Sequence, residues 1–192
     1  MLRHPPLPTQ FFFSDRQRVA DWAGVCLALP RGAGVVLRDY HASNRAAMAA
    51  DMAQLCRDKG LALLIAGDPE LAVRHKAGLH CPEMLMPRLR RSFAKIRAAN
   101  PAALITGAAH SPRAIHAAAH AGLDAVFVSP VFATLSGLDK RPLGPVKTAH
   151  WTTNARLPVL ALGGMSMQAV RRLQHAGHHG YAAIGDWQAK LS

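Results

Sequence analysis

At 192 residues, 50% of them hydrophobic, the chain is long enough for one globular domain with its own core, and no apolar run approaches the ~20 residues a membrane span needs. The three cysteines, Cys26, Cys56 and Cys81, are odd in number and lack metal-ligand spacing; they suit a reducing cytoplasm, and the chain is expected to be cytoplasmic, with no membrane partner. The formal net charge of +12 leaves three readings: a nucleic-acid binder, a site for an anionic small molecule, or a solvated basic surface.

The elements run in a regular alternation. Residues 1–10 form a tail with no cleavage site of the secretory kind, and a single domain is expected over 11–192. Phe11 to Ser14 reads as a first strand and Arg16 to Leu29 as a helix, stopped by Pro30 and Gly32. Gly34 to Arg38 is a second strand. Asn44 to Lys59 is a helix with Met48, Met52 and Leu55 inward and Gly60 as its stop. A buried strand, Leu61 to Ala66, is followed by a short helix from Pro69 to Lys76 and a short strand from Gly78 to His80. The densest basic stretch, Pro87 to Arg97, reads as one amphipathic helix with Leu89, Phe93 and Ile96 on its apolar face. No aromatic residues interleave its cations for base stacking, so a nucleic-acid partner is disfavoured. Ala103 to Ala108 is a strand, Pro112 to Ala121 a helix, and Ala125 to Ser129 a strand leading into a long loop. Gly144 to Asn154 is a weak helix, Pro158 to Leu162 a strand, Met167 to Ala176 a helix, and Tyr181 to Ile184 an eighth strand. Only Asp186 to Ser192 remains for a last, shortened helix.

Alternating strands and helices of this kind make a parallel sheet. Eight strands favour a single compact (β/α)8 TIM barrel over an open flavodoxin-like sheet, which needs five or six. The chain is short for such a barrel, ~250 residues being typical. The missing length falls on the sixth and eighth helices and leaves apolar surface or a paired face, as in a homodimer.

In this fold ligands sit in loops at the C-terminal ends of strands, with phosphate commonly held after the seventh and eighth. Gly163 and Gly164 follow one apolar strand, and Ile184 and Gly185 end the next. Glycine lets the backbone approach an anion and present N–H groups to it. His80 and His110 close two other strands, where either could serve as an acid or base near neutral pH; the plainer reading of each is a hydrogen-bonded rim residue. His116 and His120 stand four apart on one helix, and His175, His178 and His179 cluster near another. Without an evident third ligand they read as exposed surface, and no metal residues are assigned.

The stretch Ala121 to Thr134 resembles the segment "aGaDyv…GPvFpT" of the thiamin-phosphate synthase and TenI-type thiazole tautomerase family. Leu157 to Ser166 is similar to its "iPvvAiGGit", Leu143–Gly144 to its "plG", and Ala176 to Ala183 to its "aGa.GvAv". The likeness is strong from Gly122 to Gly185 and thin before Ala103, where Leu37–Arg38 resembles "QLReK" and Gly78 to His80 "dGvH". It implies thiamin metabolism, with a phosphorylated thiazole-like small molecule as partner and its phosphate on the backbone of Gly163, Gly164, Ile184 and Gly185. It further implies Thr134 and Ser136 hydroxyls near the thiazole or leaving group.

Several family positions are changed. The "NDr" strand end reads Ala66–Gly67–Asp68, with Gly67 at its aspartate, and the second metal aspartate, placed just before "GvH", corresponds to Ala77. Arg38 is kept, but the neighbouring glutamine and lysine are not. Gly137 stands for the lysine after the paired hydroxyls, with Lys140 as a substitute, and Pro130 stands for the tautomerase histidine. Mg²⁺ wants carboxylates, so no cofactor is assigned, and Mg²⁺ is expected only if the synthase reaction is retained. The expectation is a divergent member with His80, His110 and Arg38 as catalytic groups and Thr134, Ser136 and Lys140 as substrate-binding groups. The alternative is a catalytically idle phosphate-ligand-binding or regulatory barrel.

Overall fold

Strands that are apolar on both faces must be covered on both, and this chain covers one face by rolling its sheet shut. The computed structural model describes residues 6–134, 141–173 and 176–185. Strands β1 (Gln10–Phe13), β2 (Gly34–Leu37), β3 (Ala62–Ala66), β4 (Gly78–Cys81), β5 (Ile105–Ala109), β6 (Ala125–Val128), β7 (Val159–Leu162) and β8 (Gly180–Ala183) pair in parallel with their sequence neighbours. The pairing of β1 with β8 closes the barrel. Around it lie α1 (Trp22–Ala28), α2 (Arg45–Lys59), α3 (Pro69–Arg74), α4 (Met86–Leu89), α5 (Phe93–Ala99), α6 (Pro112–Ala121), α7 (Gly144–Thr153) and α8 (Met167–Arg172). This is the expected (β/α)8 barrel.

Alternation along each strand sorts the core into two parts. Phe11, Phe13, Val36, Leu64, Ala66, Ala125, Phe127, Leu160 and Ala182 fill the barrel interior. Phe11 and Phe13 meet the Phe127 ring edge-on, at centroid distances of 5.0 and 4.9 Å. Gly34 gives the Phe11 ring its room, since a side chain there would run into it. Each fully buried phenylalanine contributes roughly 1.5–3 kcal/mol. The outward set, including Val35, Leu63, Ile65, Leu79, Ile105, Val126 and Val128, packs beneath the helices.

Helix ends follow the sequence signals. Gly60 and Gly122 end α2 and α6 in the left-handed conformation. Asp68, Ser111 and Ser166 cap α3, α6 and α8 by accepting from Leu71, Ala114 and Ala169 N–H groups. Three expected helices are corrected. The first is confined to Trp22–Ala28. The chain from Asp15 to Val19 forms its own turn, with Val19 N–H donating to the Asp15 carbonyl, and Asp21 then caps a fresh start at Gly24 N–H. The basic segment is not one helix: α4 and α5 are separated by a 3₁₀ turn over Arg90–Ser92, where its cations are densest and their repulsion opposes a continuous helix. Its apolar face is as expected, with Leu89, Phe93 and Ile96 all buried. The third, α8, ends at Arg172 and does not continue to Ala176. The shortened last helix expected at 186–192 lies outside the described residues. No helix among the described residues is long and apolar enough to cross a membrane.

Candidate functional site at the barrel mouth

Parallel strands deliver all their C-terminal ends to one rim. A cavity of about 510 Å³ opens there, lined by Arg18, Arg38, His110, Ser129, Pro130, Ala133, Thr134, the run Leu162 to Ser166 and the run Ala182 to Gly185. Residues named from sequence on five different strand ends thus meet in one place: Arg38 after β2, His110 after β5, Thr134 after β6, Gly163 and Gly164 after β7, Ile184 and Gly185 after β8. Ser136 and Lys140 lie outside the described residues.

The two glycines after β7 adopt positive φ, +93° at Gly163 and +63° at Gly164. Neither has room for a side chain. A Cβ on Gly163 would stand 2.9 Å from Pro130 Cα, and one on Gly164 would stand 2.3 Å from the Ala133 carbonyl oxygen. The loop after β6 lies directly over them, its Val131 and Phe132 N–H groups donating to the Leu162 and Gly163 carbonyls at 3.0 Å. The pair therefore packs that loop as well as lining the cavity. Gly185 differs, since nothing lies within 4 Å of where its Cβ would be.

Cations face this backbone edge. Asp15 holds the Arg38 guanidinium in an ion pair and lies 3.7 Å from Arg18 Nε. Two guanidiniums thus share one carboxylate. Arg38 is further fixed by its own N–H, which donates to Ser14 Oγ, while the Ser14 hydroxyl donates to Asp39. Arg18 was not singled out from sequence, because it lies in what reads there as helix.

The two candidate histidines part company. His80 pairs in register with Thr106 and points into the barrel, 4% exposed, between Phe13 and Phe127. Its Nδ1 bonds Thr106 Oγ1 at 3.0 Å. Burial, helped by the charge of Arg38, pushes its imidazole down to about 3. The expectation that it faces the mouth is corrected: His80 is a neutral core residue and does not line the cavity. His110 follows the end of β5 and does line it. Glu83 Oε2 accepts from both the backbone N–H of His110, at 2.8 Å, and its ring Nδ1, at 2.7 Å. The other ring nitrogen, Nε2, stands 3.3 Å from Ser129 Oγ. Glu83 and Ser129 had no assigned role from sequence; only their meeting across three strand ends marks them.

At the strand end that the resemblance marks for Mg²⁺, Gly67 brings no carboxylate. Beside Gly67, the Arg45 guanidinium donates to the Ala66 carbonyl at 2.7 Å, and the Tyr40 ring lies 3.3 Å from where a Gly67 side chain would begin. A cation and an aromatic ring thus border this strand end. Asp68 is engaged as the cap of α3, and Glu83 by His110. The correspondence drawn at Ala77 fails on geometry. Ala77 precedes β4, and with Gly78 and Leu104 it lines a cavity at the opposite end of the barrel, so no ligand there reaches the mouth. Among the described residues no group of three His, Cys, Asp or Glu side chains is placed to hold a metal.

Closed parallel topology with a cavity over the C-terminal strand ends defines a (β/α)8 barrel with its site at the mouth. The chain belongs to the thiamine monophosphate synthase family, whose model matches residues 12–186. It is 30% identical over 161 residues to a thiamine-phosphate synthase of Synechococcus sp. strain WH7803, covering 82% of this chain and 44% of that protein. To the thiamine-phosphate synthase of Latilactobacillus sakei it is 34% identical over 134 residues, covering 68% of this chain and 58% of that one. The chain thus spans about half the length of these curated relatives. Among solved structures, a thiamine phosphate pyrophosphorylase from Pyrococcus furiosus superposes with a TM-score of 0.78 at 21% identity, over 96% of this chain and 95% of that one. A 3-hexulose-6-phosphate synthase superposes with a TM-score of 0.66 at 13% identity, over 92% and 89% of the respective chains; both likenesses speak for the fold alone.

Proposed function

We propose that this chain acts in thiamin metabolism by binding a phosphorylated, thiazole-like compound at the ends of β7 and β8, and that it does not catalyse the magnesium-dependent coupling of its relatives. One observation carries the reading: Gly163, Gly164, Ile184 and Gly185 share a single cavity with the cations Arg18 and Arg38. A phosphate ester is a concentrated negative charge, and glycine backbone facing guanidinium groups is a fitting receptor for it. Thr134 lines the same cavity and would orient the remainder of the ligand.

The synthase reaction that the family resemblance implies joins the thiazole phosphate to a pyrimidine pyrophosphate, and it requires stabilising the departing pyrophosphate, which is largely electrostatic work. The arginine beside Gly67 and the engaged state of Asp68 and Glu83 argue against a Mg²⁺ ion there. Proton transfer needs no metal, and His110 is the group in the cavity suited to it. A catalytically idle binding or regulatory barrel is the second reading, supported by the same loss of carboxylates beside retained glycines.

Calorimetric titration with the thiazole phosphate, with and without Mg²⁺, tests the first claim; a coupling assay with the pyrimidine pyrophosphate tests the second. The expected result is binding indifferent to Mg²⁺ and no thiamin phosphate formed. Absence of binding would remove the ligand assignment, and efficient Mg²⁺-dependent coupling would overturn the mechanistic part.

A further inference from the structure

From the bonds among Glu83, His110 and Ser129 we infer that the mouth carries a serine nucleophile, Ser129, with His110 as its general base and Glu83 as the residue that positions the base, acting on small carboxylic esters. The inference does not depend on the phosphate reading.

The atom-by-atom arrangement is what the chemistry requires. The carboxylate of Glu83 can only accept, so His110 Nδ1 must carry a proton to it across 2.7 Å. In the neutral ring Nε2 is then bare, and the Ser129 hydroxyl donates to it across 3.3 Å. The same Glu83 oxygen also accepts the His110 backbone N–H, so ring and main chain are held together. With a carboxylate on one ring nitrogen and a hydroxyl on the other, the ring is oriented to take the hydroxyl's proton. The three residues come from separate segments: Glu83 from the turn after β4, His110 from the end of β5, Ser129 from the end of β6. The arrangement is thus not a by-product of local turn formation. His110 and Ser129 both line the 510 Å³ cavity, so a bound small molecule can reach the hydroxyl.

In the forward step Ser129 Oγ adds to the ester carbonyl carbon as its proton passes to His110 Nε2. The C–O bond to the alcohol then breaks, and the alcohol leaves with the proton from His110. Water, losing its proton to the same nitrogen, hydrolyses the acyl-serine to free acid and restores Ser129. The carbonyl oxygen carries negative charge in between. Pro130 follows Ser129 and has no N–H to offer it; Arg38, paired with Asp15 and lining the same cavity, is a source of positive potential there. The cavity's size suits a small molecule.

The probe is p-nitrophenyl acetate, with intact-protein and peptide mass spectrometry to locate the acyl group. The account expects a burst of p-nitrophenolate, one acetyl group on the peptide containing Ser129, and loss of both by roughly 100-fold in Ser129→Ala and in His110→Ala. Glu83→Gln should lower kcat on the order of ten-fold while KM stays unchanged, and Glu83→Asp should recover part of it. A role limited to holding the loop would move thermal stability and not this kcat-against-KM split. Each variant is checked by circular dichroism, and labelling of the wild-type chain by a fluorophosphonate gives an arm that needs no variant to fold. No adduct on Ser129 from either reagent, or an adduct formed equally fast in His110→Ala, would overturn the inference. Because p-nitrophenyl acetate carries no phosphate, failure here leaves the phosphate reading standing.

Discussion

On the β7–β8 side of the mouth the site is made largely of backbone, and on the β1–β6 side it is made of side chains that bond one another. Gly163, Gly164 and Gly185 offer no side chain at all. Across the cavity, Asp15 holds Arg38 and Glu83 holds His110. A backbone receptor is written into the chain as glycines at strand ends and can be read from one segment. A side-chain constellation is set by register and by loops from distant segments, so its members look unrelated until they are brought together. The same contrast appears between His80 and His110. Each closes a predicted strand, yet His80 is turned inward by the pleat while His110 stands just past the last residue of β5.

The variants that break this comparison are ordered by their expected effect on folding. At neutral pH Gly164→Ala should cost most, about 2–3 kcal/mol, because it adds a side chain at φ +63° against the Ala133 carbonyl. Urea unfolding measures it, and a change below 0.5 kcal/mol would mean that the loop over β7 yields freely.

Next comes the pH dependence due to His80. Its imidazole titrates at about 3 in the folded chain against 6.5 in a free one, so the unfolded state binds more protons between those values. Its contribution to stability is therefore complete above pH 6.5 and is lost as pH falls from there towards 3, at up to ~1.4 kcal/mol per pH unit. His80→Gln keeps a partner for Thr106 and should reduce this slope in a series of melting curves. It should not abolish it, because burial lowers the His178 pKa in the same sense. An unchanged slope would contradict the placement of His80 in the core.

Arg38→Ala should change stability by less than ~1 kcal/mol, since its ion pair with Asp15 is partly exposed. It should weaken phosphate-ester binding roughly ten-fold, the scale of one charge-assisted contact. Equal affinity in the variant would move the anion away from β2.

Much of the architecture was legible. The period of the strands and the stops at Pro30, Gly32 and Gly60 are local signals, and each gave an element near its place. Misreadings arose where tertiary contacts decide. The turn from Asp15 to Val19 departs from helix while Arg16 N–H bonds Asp39 on the neighbouring strand end, a partner that periodicity does not reveal. Gly163 and Gly164 were legible as a tight approach of backbone, but their contact with the loop after β6 was not, and that contact makes Gly164 a poor probe of ligand binding. Glu83 and Ser129 carry no local mark. Ala77 was misplaced because matching a short motif does not say at which end of a strand a residue falls.

Gly185 is the position that separates binding from folding, since nothing lies within 4 Å of where its side chain would start and it borders the cavity. The decisive measurement is the affinity of Gly185→Asp for the thiazole phosphate by calorimetry, beside its melting temperature. A carboxylate set against the phosphate should weaken binding by at least ~100-fold through charge repulsion while the melting temperature stays that of the unaltered chain. Undiminished affinity in a fully folded Gly185→Asp variant would contradict the assignment of the phosphate to the ends of β7 and β8.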